Sequence, residues 1–228
     1  MGNAPILFRL GPFPITATVA TTWGIMLALA VFARLTTRRL SLDPGPLQTV
    51  LEGIVSAMDD SIRALLPERS LMVLPFVGTL WIYILVANLT GLVPGLHAPT
   101  GSLSVTAGLA LLVFLSVHWF GVRSEGLKGY LRHYLRPSPL LLPFHLVSEV
   151  SRTVALAVRL FGNVMSLEMA ALLVLLVAGL LVPVPLLMLH IVEAVVQAYI
   201  FGILTLVYIS GGMQSQQLVS EKLEGNGT

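Results

Sequence analysis

What most constrains this chain is a set of long apolar runs that almost no charge interrupts. They cover about residues 16–33, 71–92, 103–120, 146–181 and 184–209. A helix of about 18 or more apolar residues crosses the ~30 Å hydrocarbon core of a bilayer. Barrel strands would instead alternate in segments of about ten residues. Composition agrees, with 56% of the 228 residues hydrophobic and 11% charged. A soluble domain carries about a quarter charged residues to cover its surface. The expected class is an all-α integral membrane protein, with five transmembrane spans in a single polytopic domain over residues 1–228.

Charges and breakers divide the spans. Arg34, Arg38 and Arg39 stop the first, and Asp43-Pro44-Gly45-Pro46 supplies turn chemistry. From 47 to 66, Leu47, Val50, Leu51, Ile54, Val55, Met58, Ile62 and Leu65 recur at helical spacing. Glu52, Asp59, Asp60 and Arg63 take the opposite side, which predicts an amphipathic surface helix rather than a span. A polar hairpin with Arg123, Lys128, Arg132 and Arg136 follows the third span and stops at Pro137 and Pro139. After the fifth, a short polar tail from Gly211 is expected. The first run is long enough to span, so no cleavable signal peptide is expected.

Lysine and arginine set the orientation. The 34–70 segment holds five, the 121–142 segment four, and the tail holds Lys222. The 93–103 loop and the Pro183-Val184-Pro185 turn hold none. Under the positive-inside rule the basic segments are cytoplasmic, so the N-terminus lies outside and the C-terminus inside. The fourth segment is too long for an upright span: as one helix it measures ~54 Å. Either it is one long, strongly tilted helix packed on the fifth, the reading favoured here, or it breaks at Gly162-Asn163 into two short spans.

That segment also carries Arg159 inside Ala155-Leu156-Ala157-Val158-Arg159-Leu160-Phe161-Gly162. An arginine at mid-bilayer costs roughly 2.5–3.5 kcal/mol on insertion scales and requires a partner or water. Glu149 and Glu168, the nearest acids in sequence, do not lie one helical turn away, so they cannot pair with it locally. The counter-charge is then on another helix or another subunit. A buried pair that only fixes packing is the alternative. On a helical wheel Asn163 and Arg152 share the Arg159 face, and Glu168 points to the opposite one.

In the last span His190, Glu193 and Gln197 form one polar stripe. Imidazole beside carboxylate exchanges protons near neutral pH, and with Glu168 these groups could line a proton-conducting cavity. A zinc site from His190, Glu193 and Glu168 lacks a diagnostic ligand spacing. Asn88 suits a cap or an interhelical hydrogen bond. His97, His118, His133 and His145 read as interfacial. Trp23, Trp81 and Trp119 read as interface anchors or packing residues. The chain has no cysteine, which excludes disulfides, thiol catalysis and thiolate metal sites. No phosphate-binding loop, nucleophile triad or nucleic-acid motif is present.

The run Arg159-Leu160-Phe161-Gly162-Asn163, with Glu149 and Arg152 upstream, strongly resembles subunit a of the F-type ATP synthase membrane sector. The likeness extends through Asn88-Leu89-Thr90-Gly91-Leu92-Val93-Pro94-Gly95, His190, Gln197-Ala198-Tyr199-Ile200-Phe201 and Leu204-Thr205-Leu206-Val207-Tyr208-Ile209. It covers about Gly45 to Ser210. The resemblance implies an ion-translocating stator, not itself an enzyme and without a cofactor or metal, in a bacterial plasma (inner) membrane. Its implied partners are the c-subunit ring, the peripheral-stalk b subunits, the soluble catalytic sector indirectly, and lipid, with no nucleic acid. Two aqueous half-channels would serve a ring carboxylate, with Arg159 between them. Glu168 and His190 match the family's outer half-channel, and Asn163 and Gln197 its polar residues near the arginine. Glu193 is an additional carboxylate. Ser102 and Ser104 replace the usual Asp and Asn, and Thr153 a common proline, which points to a divergent subfamily with proton or sodium as the coupling ion. The alternative is a stand-alone secondary ion transporter or channel, which would need an inverted repeat or a substrate pocket. A purely structural membrane scaffold is a third reading.

Overall fold

The computed structural model describes residues 6–10, 13–38, 44–93, 96, 98–135, 142–178 and 183–224. A short hairpin opens the chain, with β1 (Ile6–Leu10) antiparallel to β2 (Phe13–Thr16). Six helices follow: α1 (Ala17–Thr37), α2 (Pro46–Arg63), α3 (Ser70–Leu89), α4 (Leu103–Leu135), α5 (Leu142–Ala178) and α6 (Pro183–Glu224). Two 3-10 turns, Thr90–Leu92 and Pro99–Gly101, connect α3 to α4. Among the described residues, five helices are long and apolar enough to cross a membrane, over 17–37, 70–92, 103–124, 146–177 and 185–213. Helices suit such a solvent because each satisfies its own backbone polar groups. Stray hydroxyls follow the same rule: Thr21 and Thr22 donate to the carbonyls of Ala17 and Thr18, one turn back, at 2.9 and 2.8 Å.

The amphipathic helix is α2, which starts at Pro46, a residue suited to a first turn because its missing N–H has no intrahelical partner there. Arg63 and Asp59 form a 2.7 Å ion pair on its polar side. The apolar side packs on α3, where Ile62 is fully buried and the Met58 thioether lies 3.8 Å from where Gly78 would carry a Cβ. Leu47, Val50, Ile54 and Val55 remain exposed, as a helix lying on a membrane surface requires.

The core lies where α3, α4 and α6 meet. Ile84 and Ala87 of α3, Val113 of α4, Leu156 and Leu160 of α5 and Phe201 of α6 form one cluster. Val73, Val77 and Trp81 of α3, Phe120 of α4 and Leu206 and Ile209 of α6 form a second, closed by Ile62 of α2. Lipid offers no hydrophobic drive for helices to associate, so close packing must supply it. The α3–α6 contact shows how: Trp81 lies across Gly202, donates its indole N–H to the Tyr199 carbonyl at 3.1 Å and stacks on the Tyr199 ring. Trp81 is therefore a packing residue.

Helix α5 is continuous through Gly162-Asn163, which excludes the two-span alternative. Its 37 residues would run ~55 Å if straight, so it must tilt to stay within the bilayer. It packs on both α4 and α6. The polar tail expected from Gly211 is helical, because α6 runs on to Glu224. The polar stretch after Phe120 is helical on both sides of a break at Gly126, where two helices within Leu103–Leu135 meet at a kink. There φ is +78°, a left-handed value that glycine adopts without a Cβ penalty. The pairing of β1 with β2 before the first apolar run was not expected from the sequence. The Pro137–Pro139 stop, Asp43, His97 and the 179–182 turn lie outside the described residues.

Candidate functional site

Tight approach of α3, α5 and α6 builds a narrow polar recess. It is lined by Asn88 from α3, by Asn163, Val164 and Leu167 from α5, and by His190, Glu193, Ala194 and Gln197 from α6. The α6 residues reach it together because their spacing places them on one helical stripe. Asn163 donates its amide to the Gln197 side-chain oxygen at 2.7 Å, tying the turn after Arg159 to α6. His190 Nε2 lies 3.3 Å from the Asn88 carbonyl. Asn88 also accepts the Thr100 hydroxyl proton at 2.6 Å, which draws the Pro99–Gly101 turn onto α3.

Burial makes this polarity costly unless it is used. Asn88 is 1%, Gln197 2% and His190 7% exposed. Among the described residues, the Asn88 Nδ2 and Gln197 Nε2 donors are buried without an acceptor. Each buried donor without an acceptor costs about 1–3 kcal/mol, and such groups are commonly matched by water or a ligand. With a histidine and a carboxylate on the same wall, the recess has the chemistry to pass a proton between water and side chains.

Two glycines let the flanking groups approach. The Glu168 carboxylate lies 3.4–3.5 Å from where a Cβ of Gly101 would stand. The His190 ring lies 3.5 Å from the equivalent position of Gly91. Glu168 thus meets the same turn that Thr100 fastens to Asn88, although it does not line the recess itself. Sequence reasoning missed Thr100 and Gly101. Their only signal was proximity to the Asn88–Gly95 motif.

Arg159 is apart from this recess. It is exposed, one turn before Asn163, and among the described residues its guanidinium has no ion pair or hydrogen bond. Val154 and Val158 are exposed beside it in the sequence, and α6 exposes Val192, Val195, Val196 and Tyr199. Arg152, two turns earlier, instead lies over the Tyr208 ring at 5.7 Å, a cation–π contact between α5 and α6. Glu149 is half-buried, and its carboxylate lies 3.8 Å from His118 Nδ1 on α4. His118, expected only as an interfacial residue, therefore meets a candidate site residue. No three His, Asp or Glu side chains among the described residues converge on a metal-sized site, so His190, Glu193 and Glu168 do not form the zinc arrangement.

The family described as ATP synthase A chain matches residues 19–210. ATP synthase subunit a 2 of Pelobacter propionicus is 64% identical over 209 residues, 92% of this chain and 92% of that protein. ATP synthase subunit a of Legionella pneumophila subsp. pneumophila is 57% identical over 219 residues, 96% of this chain and 95% of its own length. ATP synthase subunit a 1 of Hahella chejuensis is 60% identical over 212 residues, 93% of this chain and 90% of that protein.

Proposed function

The chain belongs to the ATP synthase A chain family, a non-catalytic component of the synthase's membrane sector, and from that premise we propose that it is the stator against which a ring of c subunits turns. The observation that carries this reading is Arg159. A guanidinium exposed on an apolar helix, without an acidic partner among the described residues, needs one from outside. A carboxylate on a passing ring subunit supplies that charge and carries it away again.

The remaining residues take roles around this contact. Glu168, His190 and Glu193 exchange the proton with one compartment, and the orphan donors of Asn88 and Gln197 orient water in that half-channel. Asn163 holds Gln197 and with it the turn carrying Arg159. Glu149 and Arg152 lie towards the second half-channel. Arginine keeps its proton at any working pH, so Arg159 separates the two half-channels rather than joining them. The proton must then travel by the ring, and each one delivers ~2.3 kcal/mol per 100 mV. The imidazole–carboxylate make-up favours a proton as cargo.

The chain acts as one membrane domain in a bacterial plasma membrane, with the N-terminus outside and the C-terminus in the cytoplasm, as its basic segments indicate. The peripheral-stalk b subunits hold it, and through them the soluble catalytic sector. Purification in mild detergent tests the assembly directly. A c-ring and a stalk should accompany the chain, whereas a lone chain that transports ions by itself would refute the stator reading.

A further inference from the structure

Helix α5 is tied to α6 by two polar contacts, one on each side of Arg159, and the two share one register. We propose that Arg152 and Tyr208 are a positioning pair, the second of two pins that fix the rotation of α5 and hold Arg159 in place while the ring passes. The inference rests on the stator reading and adds residues that hold its arginine rather than touch the moving charge.

Register is the first argument. Asn163 donates to Gln197 at 2.7 Å, and the Arg152 guanidinium carbon lies over the Tyr208 ring, 5.7 Å from its centroid. Arg152 and Asn163 are eleven residues apart on α5, and Gln197 and Tyr208 are eleven apart on α6. Eleven residues are close to three helical turns, so each helix carries both of its contact residues on one face, ~16.5 Å apart. Arg159 lies on that same face of α5, seven residues after Arg152 and four before Asn163. The second argument is what stands between the pins. By the same count Phe201 of α6 is level with Arg159, and it is 1% exposed within the cluster that holds Leu156 and Leu160. Between the pins α6 therefore offers Arg159 hydrocarbon, and Arg159 itself is exposed. Apolar packing is non-directional, so it resists rotation of α5 less than two contacts of fixed geometry do.

The third argument is mechanical. A ring carboxylate that meets Arg159 and then moves on pulls the guanidinium sideways. A helix gripped only at Asn163–Gln197 could pivot there under that pull. The Arg152–Tyr208 contact grips it again on the other side of Arg159, and a helix held on one face at two levels neither pivots nor rolls. A cation over an aromatic face suits this place, because its attraction strengthens where water is scarce. Unlike an ion pair, it also brings no carboxylate near Arg159 to compete with that of the ring.

The test measures ATP-driven pumping by membrane vesicles holding the whole synthase, per assembled complex. The variants are Arg152→Gln, Tyr208→Leu, Tyr208→Phe and the double variant Arg152→Gln with Tyr208→Leu. Loss of the pin should slow pumping by about tenfold, since a misplaced reacting group costs up to ~100-fold. Tyr208→Phe keeps the ring face and should stay within about twofold of wild type. The double variant should be no slower than either single one, because both break the same contact. Slowing by only one of Arg152→Gln and Tyr208→Leu would overturn the proposal, since the two would then act separately. So would multiplied losses in the double variant, or Tyr208→Phe as slow as Tyr208→Leu. Wild-type rates per complex in every variant, with only a lower melting temperature, would reduce the pair to a packing contact and overturn it as well. Arg159→Ala in the same vesicles separates the two readings. If it blocks pumping while the pin variants pump normally, only this inference fails; if Arg159→Ala pumps normally, the stator reading fails.

Discussion

The Asn163–Gln197 hydrogen bond is the smallest feature on which the site depends. It joins α5 to α6 one turn from Arg159 and leaves the Gln197 amide nitrogen buried without an acceptor among the described residues. Replacing Asn163 by Val removes the donor and strands a second atom of a residue already 2% exposed. The expected loss is about 1–3 kcal/mol of stability, read as a lower unfolding temperature of the purified complex, together with slower pumping. An unchanged melting temperature would mean that water replaces the bond at no cost. At this scale the sequence was informative about which residues matter and silent about whom they touch. Arg159, Asn163, His190 and Gln197 stood out because polar groups in an apolar helix are expensive. That Asn88 would reach both Thr100 and His190 depends on how two turns fold back, and no periodicity encodes that.

At the scale of the element, helix type and number were legible and helix ends were not. Length and hydropathy alone separate the five spans from α2, since a bilayer sets a minimum length for any helix that crosses it. The sequence left open whether the polar stretches past Phe120 and Gly211 are helical, because polar residues in water neither require nor forbid a helix; both are, with a break at Gly126. Contacts between elements can still be tested singly. A Cβ at Gly202 would collide with the Trp81 indole that packs α3 against α6. Gly202→Ala should therefore destabilise the subunit by about 1–3 kcal/mol, the usual cost of overpacking. Combining it with Trp81→Phe should recover part of the loss, because neighbouring substitutions couple. Purely additive melting temperatures would show that the two residues do not share that space.

For the molecule as a whole, the arrangement divides its charges by purpose. Most of the surface of α1, α5 and α6 is apolar, with Val158, Leu172, Val195 and Tyr199 among the exposed side chains. Within it Arg159 is exposed and has no partner among the described residues, whereas Glu168 lies against the Pro99–Gly101 turn and Glu149 is half-buried. A chain that transported ions alone would be expected to answer its own intramembrane charge. This one leaves the charge to be answered by a neighbour, and the family to which it belongs works in an assembly. The central claim is therefore that Arg159 is the barrier between two proton paths and the docking point for a mobile carboxylate. ATP-driven proton pumping by membrane vesicles carrying Arg159→Ala, at wild-type levels of assembled complex, tests it most directly. The account predicts no coupled pumping at all, and normal coupled pumping by that variant would contradict it.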